Sequence, residues 1–180
     1  MPTSFSFDQV FAADPAAVLA MLRDPDYVRH KAEQTGGRDV VVEVTTLDAT
    51  GLDATGLDAT GFVGTGFVIV CTRTLPAEVP SYARSFVGDT ITITERQEWR
   101  AAGADALPAA AASVDFHAPV AYSGRIDLAV DGSGTIARNT GSFRASVPFV
   151  GGKVERLVAE QTQRYLAKET QVAAAWLARA

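Results

Sequence analysis

The sequence predicts an α+β fold in which a curved antiparallel sheet wraps around one long C-terminal helix. Strand-like segments recur from residue 38 to about residue 147, several with the period-two alternation of a half-buried strand. Residues 152–177 instead carry apolar side chains at helical spacing. A strongly twisted sheet of this size curls, and its concave face must be covered. Only the last helix is long enough to cover it.

The chain opens with one strand and two short helices. Residues 4–11 alternate phenylalanine with polar side chains, which indicates a half-buried strand. Asp-Pro pairs at 14–15 and 24–25 each combine an N-cap residue with a proline suited to the first helical position. The glycines at 36–37 end the second helix. We expect these two helices to plug one end of the sheet.

Six further strands precede the last helix. They are predicted at residues 39–46, 67–75, 90–99, 113–118, 121–130 and 135–147. The Asp-Gly-Ser-Gly spacer at 131–134 is a strong hairpin signal. The connector after residue 75 is predicted to contain one helical turn at 81–86, and residues 101–112 are predicted to form a loop of small residues. The element order is therefore strand, helix, helix, six strands, helix.

The pentapeptide LDATG occurs three times in succession between residues 45 and 66. A period of five places no continuous apolar stripe on a strand, and glycine at every fifth position disfavours a helix. Each unit offers Asp and Gly at the first and fourth places of a type I turn. Lengthening a loop costs little closure entropy. We interpret 45–66 as a hairpin loop insertion within a single domain that spans residues 1–180.

Composition limits the classes of function. The net charge of −5 and a pI near 5.0 argue against a nucleic-acid partner. The single cysteine, Cys71, excludes an internal disulfide and a multi-cysteine zinc site, and its apolar surroundings predict a buried thiol. No signal peptide and no apolar run of membrane-spanning length is found, so a cytoplasmic protein without an integral membrane segment is expected.

The element order resembles the helix-grip superfamily of START-type lipid-transfer domains, polyketide cyclases and pollen-allergen-like proteins. The segments DPDYVRHKAEQTGG, RTLPAEVPSYARSFVGDT, ERQEW and VPFVGGKVERLVAEQ resemble an uncharacterised bacterial branch of it. The similarity covers nearly the whole chain, and the LDATG repeat is the main departure. The resemblance implies a hydrophobic cavity between sheet and C-terminal helix, but no single reaction, because such proteins include carriers, sensors, cyclases and hydrolases.

Strand alternation predicts which side chains face that cavity. Glu95 and Gln97 lie on the apolar face of their strand, and Arg73 on the neighbouring strand is a plausible partner for Glu95. The predicted lining is Arg73, Glu95, Gln97, Trp99, Tyr122, Asn139, Phe143, Gln161 and Tyr165. Sparse polar groups in an apolar cavity are typical of small-molecule sites. The same residues would also suit an ordinary core with a satisfied polar network.

Three functions remain open from the sequence. The first is binding of a hydrophobic or amphipathic small molecule, such as a lipid or polyketide-like compound. The second is a cyclase-type or hydratase-type enzyme that uses polar residues in the same cavity. The third is a structural or interaction domain with a filled core. GxSxG, HExxH and CxxC motifs are absent, and no cofactor or metal is expected. Asp115 and His117 could form a proton relay or a surface pair.

Overall fold

The computed structural model describes residues 2–47, 66–77, 88–100 and 107–179. The elements are β1 (Thr3–Phe11), α1 (Pro15–Leu22), α2 (Pro25–Gln34), β2 (Arg38–Leu47), β3 (Gly66–Pro76), β4 (Thr90–Arg100), β5 (Ala109–Ala118), β6 (Val120–Asp131), β7 (Gly134–Ala145) and α3 (Gly151–Leu177). Their order is the predicted one, and the α+β class is confirmed. None of the described helices is long and apolar enough to span a membrane.

The strands form one antiparallel sheet in the order β1-β7-β6-β5-β4-β3-β2. The first and second strands therefore lie at opposite edges, and α1 and α2 carry the chain from one edge to the other. Helix α3 packs against β1 and β7, and it also contacts α2. A concave space is thereby enclosed between the sheet, α2 and α3.

Side-chain caps fix the start of both short helices, as predicted. An Asp14 carboxylate oxygen accepts a hydrogen bond from the backbone N–H of Ala17 at 2.9 Å, and Asp24 accepts one from Asp26 at 2.9 Å. Gly36, at φ +94°, follows the end of α2 in a conformation that side chains disfavour. These local signals place α2 where its buried face meets α3.

The core divides into two clusters on either side of the enclosed space. One cluster lies under α1 and α2 and includes Tyr27 and the fully buried Trp99. The other consists mainly of Phe5, Tyr122 and Phe143, whose ring centroids lie 4.9 to 5.9 Å apart. Such aromatic contacts stabilise a core by more than the burial of their apolar surface alone provides.

The prediction of a loop through residue 112 is wrong, because β5 begins at Ala109. An alanine run shows no alternation and has low strand propensity, so the pattern favoured a loop. Pairing with both neighbouring strands stabilises β5 despite this low propensity. Ala110 is buried opposite Trp99 on β4 and Ile126 on β6. The predicted turn at 81–86 and the LDATG repeats lie outside the described residues.

Candidate functional site

A cavity of about 80 Å³ lies between the concave face of the sheet and α3. Its apolar lining includes Phe5, Phe11, Tyr27, Trp99, Phe143 and Leu166. A space of this size holds a few water molecules. Typical small-molecule pockets are several times larger, roughly 300–1,000 Å³. The cavity as it stands therefore fits a small ligand or the polar end of a larger one.

Most polar side chains around the cavity bond to other protein groups. The Asn139 amide donates to the Phe7 carbonyl at 3.2 Å and to Gln9 Oε1 at 3.3 Å. The Trp99 indole N–H donates to Gln97 Oε1 at 3.0 Å. These bonds hold both amides against the cavity wall in fixed orientations.

A cluster of four charged side chains closes one end of the cavity. This buried ion cluster consists of Lys31 on α2, Arg73 on β3, Glu95 on β4 and Glu169 on α3. Arg73 Nη2 lies 2.8 Å from Glu95 Oε2 and 3.7 Å from Glu169 Oε1, and Lys31 Nζ lies 3.3 Å from Glu169 Oε1. Lys31, Glu95 and Glu169 line the cavity, whereas Arg73 stands behind them with a side chain only 2% exposed.

The sheet register and one glycine explain how Arg73 reaches this position. Arg73 pairs with Ile93, and Cys71 pairs with Glu95, so the arginine and the glutamate are diagonal neighbours on the concave face. A side chain at Gly37 would place a Cβ 3.1 Å from Arg73 Cδ and 2.6 Å from the Ala32 carbonyl oxygen. Gly37 therefore lets the chain after α2 pass close to the arginine.

Burial and neighbouring charges shift the pKa values of the two acids of the cluster in opposite directions. Burial raises the pKa of Glu169, and Lys31 and Arg73 only partly offset this effect. Burial would also raise the pKa of Glu95, but Arg73 and Lys31 outweigh it and the pKa is lowered. Burial would lower the pKa of Lys31, yet Glu169 and Glu95 more than compensate and the pKa is raised. Both cations of the cluster therefore stay charged.

Tyr165 supports the cluster from α3. Its ring lies 4.8 Å from the Arg73 guanidinium carbon, a cation–π distance. Burial raises the pKa of the Tyr165 phenol. The tyrosine thus covers one face of the arginine, while Glu95 and Glu169 approach the end of its guanidinium group.

Six of the nine residues predicted to line the cavity do line it. They are Glu95, Gln97, Trp99, Tyr122, Asn139 and Phe143. Arg73 and Tyr165 are not among the lining residues: Arg73 is paired with Glu95, and the Tyr165 ring lies against the Arg73 guanidinium. Gln161 is half-buried on α3, and the lining positions of that helix are Thr162, Leu166 and Glu169.

Lys31 and Glu169 line the cavity but are not among the residues predicted from the sequence. Both are charged helix residues, which ordinarily face solvent. A signal was nevertheless present: Lys31 follows Tyr27 by four residues, and Glu169 follows Tyr165 by four, which puts each on the apolar face of its helix. The buried Cys71 thiol was predicted correctly, and burial raises its pKa.

The Asp115 and His117 side chains lie on the exposed end of β5. His117 adopts φ +46°, and its backbone N–H, not its imidazole, donates to Asp115 Oδ1 at 2.8 Å. His117 Nε2 lies 3.0 Å from Thr94 Oγ1. The aspartate therefore shapes an irregular strand end. Within the described residues, no group of three or more histidine, cysteine or acidic side chains could hold a metal ion.

A family model described as protein of unknown function (DUF2505) matches residues 6–177. The chain belongs to this family. The match begins within β1 and ends at the last residue of α3, so all three helices, six complete strands and most of β1 fall within the family's extent. No curated protein matches the chain.

Solved structures of the same fold include two enzymes and an allergen. The Zhui aromatase/cyclase from Streptomyces sp. R1128 is 13% identical, with a TM-score of 0.59 over 99% of this chain and 95% of that one. Norcoclaurine synthase from Thalictrum flavum is 13% identical, with a TM-score of 0.56 over 99% and 96%. Ara h 8.0201, a Bet v 1-like allergen, is 13% identical, with a TM-score of 0.51 over 96% and 98%. At such identities these likenesses establish the helix-grip fold of this DUF2505 protein.

Proposed function

We propose that the protein binds a small, largely apolar molecule between the sheet and α3, with the polar end of the ligand at the buried ion cluster. One observation carries the proposal: two residues that line the aromatic cavity, Glu95 and Glu169, each have a buried carboxylate oxygen without a hydrogen bond. Glu95 Oε2 and Glu169 Oε1 have ion-pair partners but accept no hydrogen bond within the described part of the chain. Buried polar atoms in proteins usually have at least one hydrogen-bond partner.

The size of the cavity limits the ligand. About 80 Å³ is less than the 150 Å³ cavity known to accept benzene in another protein. A ligand the size of one aromatic ring therefore requires α3 to shift away from the sheet. A lipid or polyketide-like ligand would require a larger displacement of that helix.

Native mass spectrometry of protein purified from its own host tests the proposal. The wild-type protein should carry a non-covalent small-molecule mass. Thr162→Phe fills the cavity from α3 and should lose most of that bound fraction. Gln163→Phe introduces the same side chain at an exposed position of α3 and should retain it. A wild-type spectrum that contains the bare polypeptide alone contradicts binding and favours a domain with a filled core.

A second candidate function is acid–base catalysis of the cyclase or hydratase type in the same cavity. It is favoured by two lining carboxyls whose environments push their pKa values apart, lowering that of Glu95 and raising that of Glu169. Glu95 would then act as the base and Glu169 as the acid. Glu95→Gln separates the alternatives: a carrier keeps most of its affinity, whereas an enzyme that uses this base loses turnover.

A further inference from the structure

We propose that the polar group of the ligand is uncharged and both donates and accepts hydrogen bonds, as a hydroxyl or a primary amide does. The inference rests on the proposed function, because it concerns the polar end of the molecule in the same cavity. It narrows the ligand class to neutral alcohols, phenols and amides. It excludes carboxylates, phosphates and amines.

The positive and negative charges of the buried ion cluster are balanced. Two cations, Lys31 and Arg73, face two carboxylates, and each charge has an opposite partner within 4 Å. The half-exposed Arg96 guanidinium, on a residue that also lines the cavity, pairs with Glu98 instead. The charged side chains at the described cavity wall thus leave no unmatched charge for an ionic ligand.

Desolvation disfavours an ionic group in this cavity. An ionic group that enters the cavity loses its water, and that loss is compensated where the site supplies an unmatched opposite charge together with hydrogen bonds. The cluster offers no surplus, because its positive and negative charges already neutralise each other. A neutral polar group loses far less hydration and leaves these ion pairs intact.

The ion cluster keeps hydrogen-bonding capacity for both a donor and an acceptor. The Lys31 ammonium has three N–H groups, and it faces Glu169 Oε1 at 3.3 Å as an ion pair without a hydrogen bond. Glu95 Oε2 and Glu169 Oε1 are buried acceptors without a hydrogen bond. Donor and acceptor therefore lie side by side at one end of the cavity. A hydroxyl or primary amide can satisfy both at once, which a hydrocarbon cannot do.

Five small aromatic compounds test the inference by titration calorimetry or ligand-detected NMR at about pH 7. Benzyl alcohol and benzylammonium form one matched pair, benzamide and benzoate form another, and toluene lacks a polar group. The neutral member of each pair should bind at least tenfold more tightly than its ion. Benzyl alcohol should also bind several-fold more tightly than toluene.

Charge variants show whether the cluster causes this preference. Glu169→Gln leaves a net positive cluster, so the ratio of benzoate to benzamide affinity should rise at least tenfold. Lys31→Met leaves a net negative cluster, so the ratio of benzylammonium to benzyl alcohol affinity should rise similarly. Circular dichroism verifies that each variant is folded. If a variant does not fold, the affinities of the five compounds for the wild-type protein decide whether the ligand's polar group is uncharged.

Two results would overturn the inference while leaving binding itself in place. In the first, the wild-type protein binds an ionic compound as tightly as its neutral partner. In the second, it binds toluene as tightly as benzyl alcohol. If none of the five compounds binds, the proposed function fails for ligands of this size, and the inference fails with it.

Discussion

Glu95 and Glu169 lie in one buried cluster, yet they respond to pH with opposite signs. The pKa of Glu95 is lowered in the folded protein, so its contribution to stability is present above the ordinary value of 4.5 and is lost as the pH falls through the folded pKa. The pKa of Glu169 is raised, so the folded state holds its proton more tightly than the unfolded state. Ionisation of Glu169 therefore lowers the stability as the pH rises above 4.5.

We predict that Glu95→Gln and Glu169→Gln give opposite pH profiles. The difference in unfolding free energy between wild type and Glu95→Gln should increase as the pH approaches 4.5 from below, and then stay constant. The difference between wild type and Glu169→Gln should decrease as the pH rises above 4.5. Urea unfolding followed by circular dichroism over the acidic to neutral range measures both. Slopes of the same sign would contradict these pKa shifts.

The strand residues of the buried ion cluster, Arg73 and Glu95, were predictable from the sequence, whereas its helix residues, Lys31 and Glu169, were not. Arg73 and Glu95 are predictable as a pair because strand alternation has a period of two, so the face on which each side chain lies follows directly from the residue number. Helical periodicity is less restrictive: a step of one residue turns the helix by about 100°, and both Gln161 and Thr162 fit the inner face. Only the packing of α3 on the sheet distinguishes them.

Among the elements, β6 and β7 share a glycine pair that makes room for an aromatic ring. Gly124 and Gly141 are directly opposite each other, and the Tyr122 hydroxyl lies over them, donating to the Thr140 carbonyl at 3.2 Å. A Cβ at Gly124 would collide with that hydroxyl and with the carbonyl oxygen. The pair therefore sets the position of one aromatic wall of the cavity.

We predict that Gly124→Ala lowers the melting temperature markedly, because the Tyr122 ring or the β6–β7 backbone must move. Gly152→Ala is the matched control in the first turn of α3, where a Cβ meets nothing closer than 4.0 Å. It should raise the stability by about 0.4–1 kcal/mol. Differential scanning calorimetry measures both. A Gly124→Ala protein that melts with wild type would show that the ring is not held against the sheet.

Element boundaries were predictable where side chains encode them locally. The Asp-Pro pairs fixed the starts of α1 and α2, because cap and proline act within one turn. The start of β5 was not predictable, since alanines at 109–112 become a strand only through pairing with both neighbours. Helix α3 has no side-chain cap at Val150, and its start was predicted one residue late.

Considered as a whole molecule, the domain should tolerate a shorter β2–β3 connection. The ladder extends to the pairing of Leu47 with Gly66, so both ends of the connection are held by strand pairing. We predict that deletion of one LDATG unit, residues 52–56, changes the unfolding free energy by less than about 0.6 kcal/mol. Thermal unfolding measures the change. A large loss of stability would mean that the repeat packs into the fold.

The pairing of β1 with β7 also determines when the protein can finish folding. Thr3 lies opposite Phe143, so β1, the first strand of the sheet in chain order, cannot pair until β7, the last one, has been synthesised. At about 5–20 residues per second, that delay is on the order of ten seconds. During this time the phenylalanines of β1 have no partner strand, and α3, which follows β7 in the chain, has not yet been synthesised. Completion of the sheet and completion of the cavity are therefore late events, governed by contacts distant in sequence.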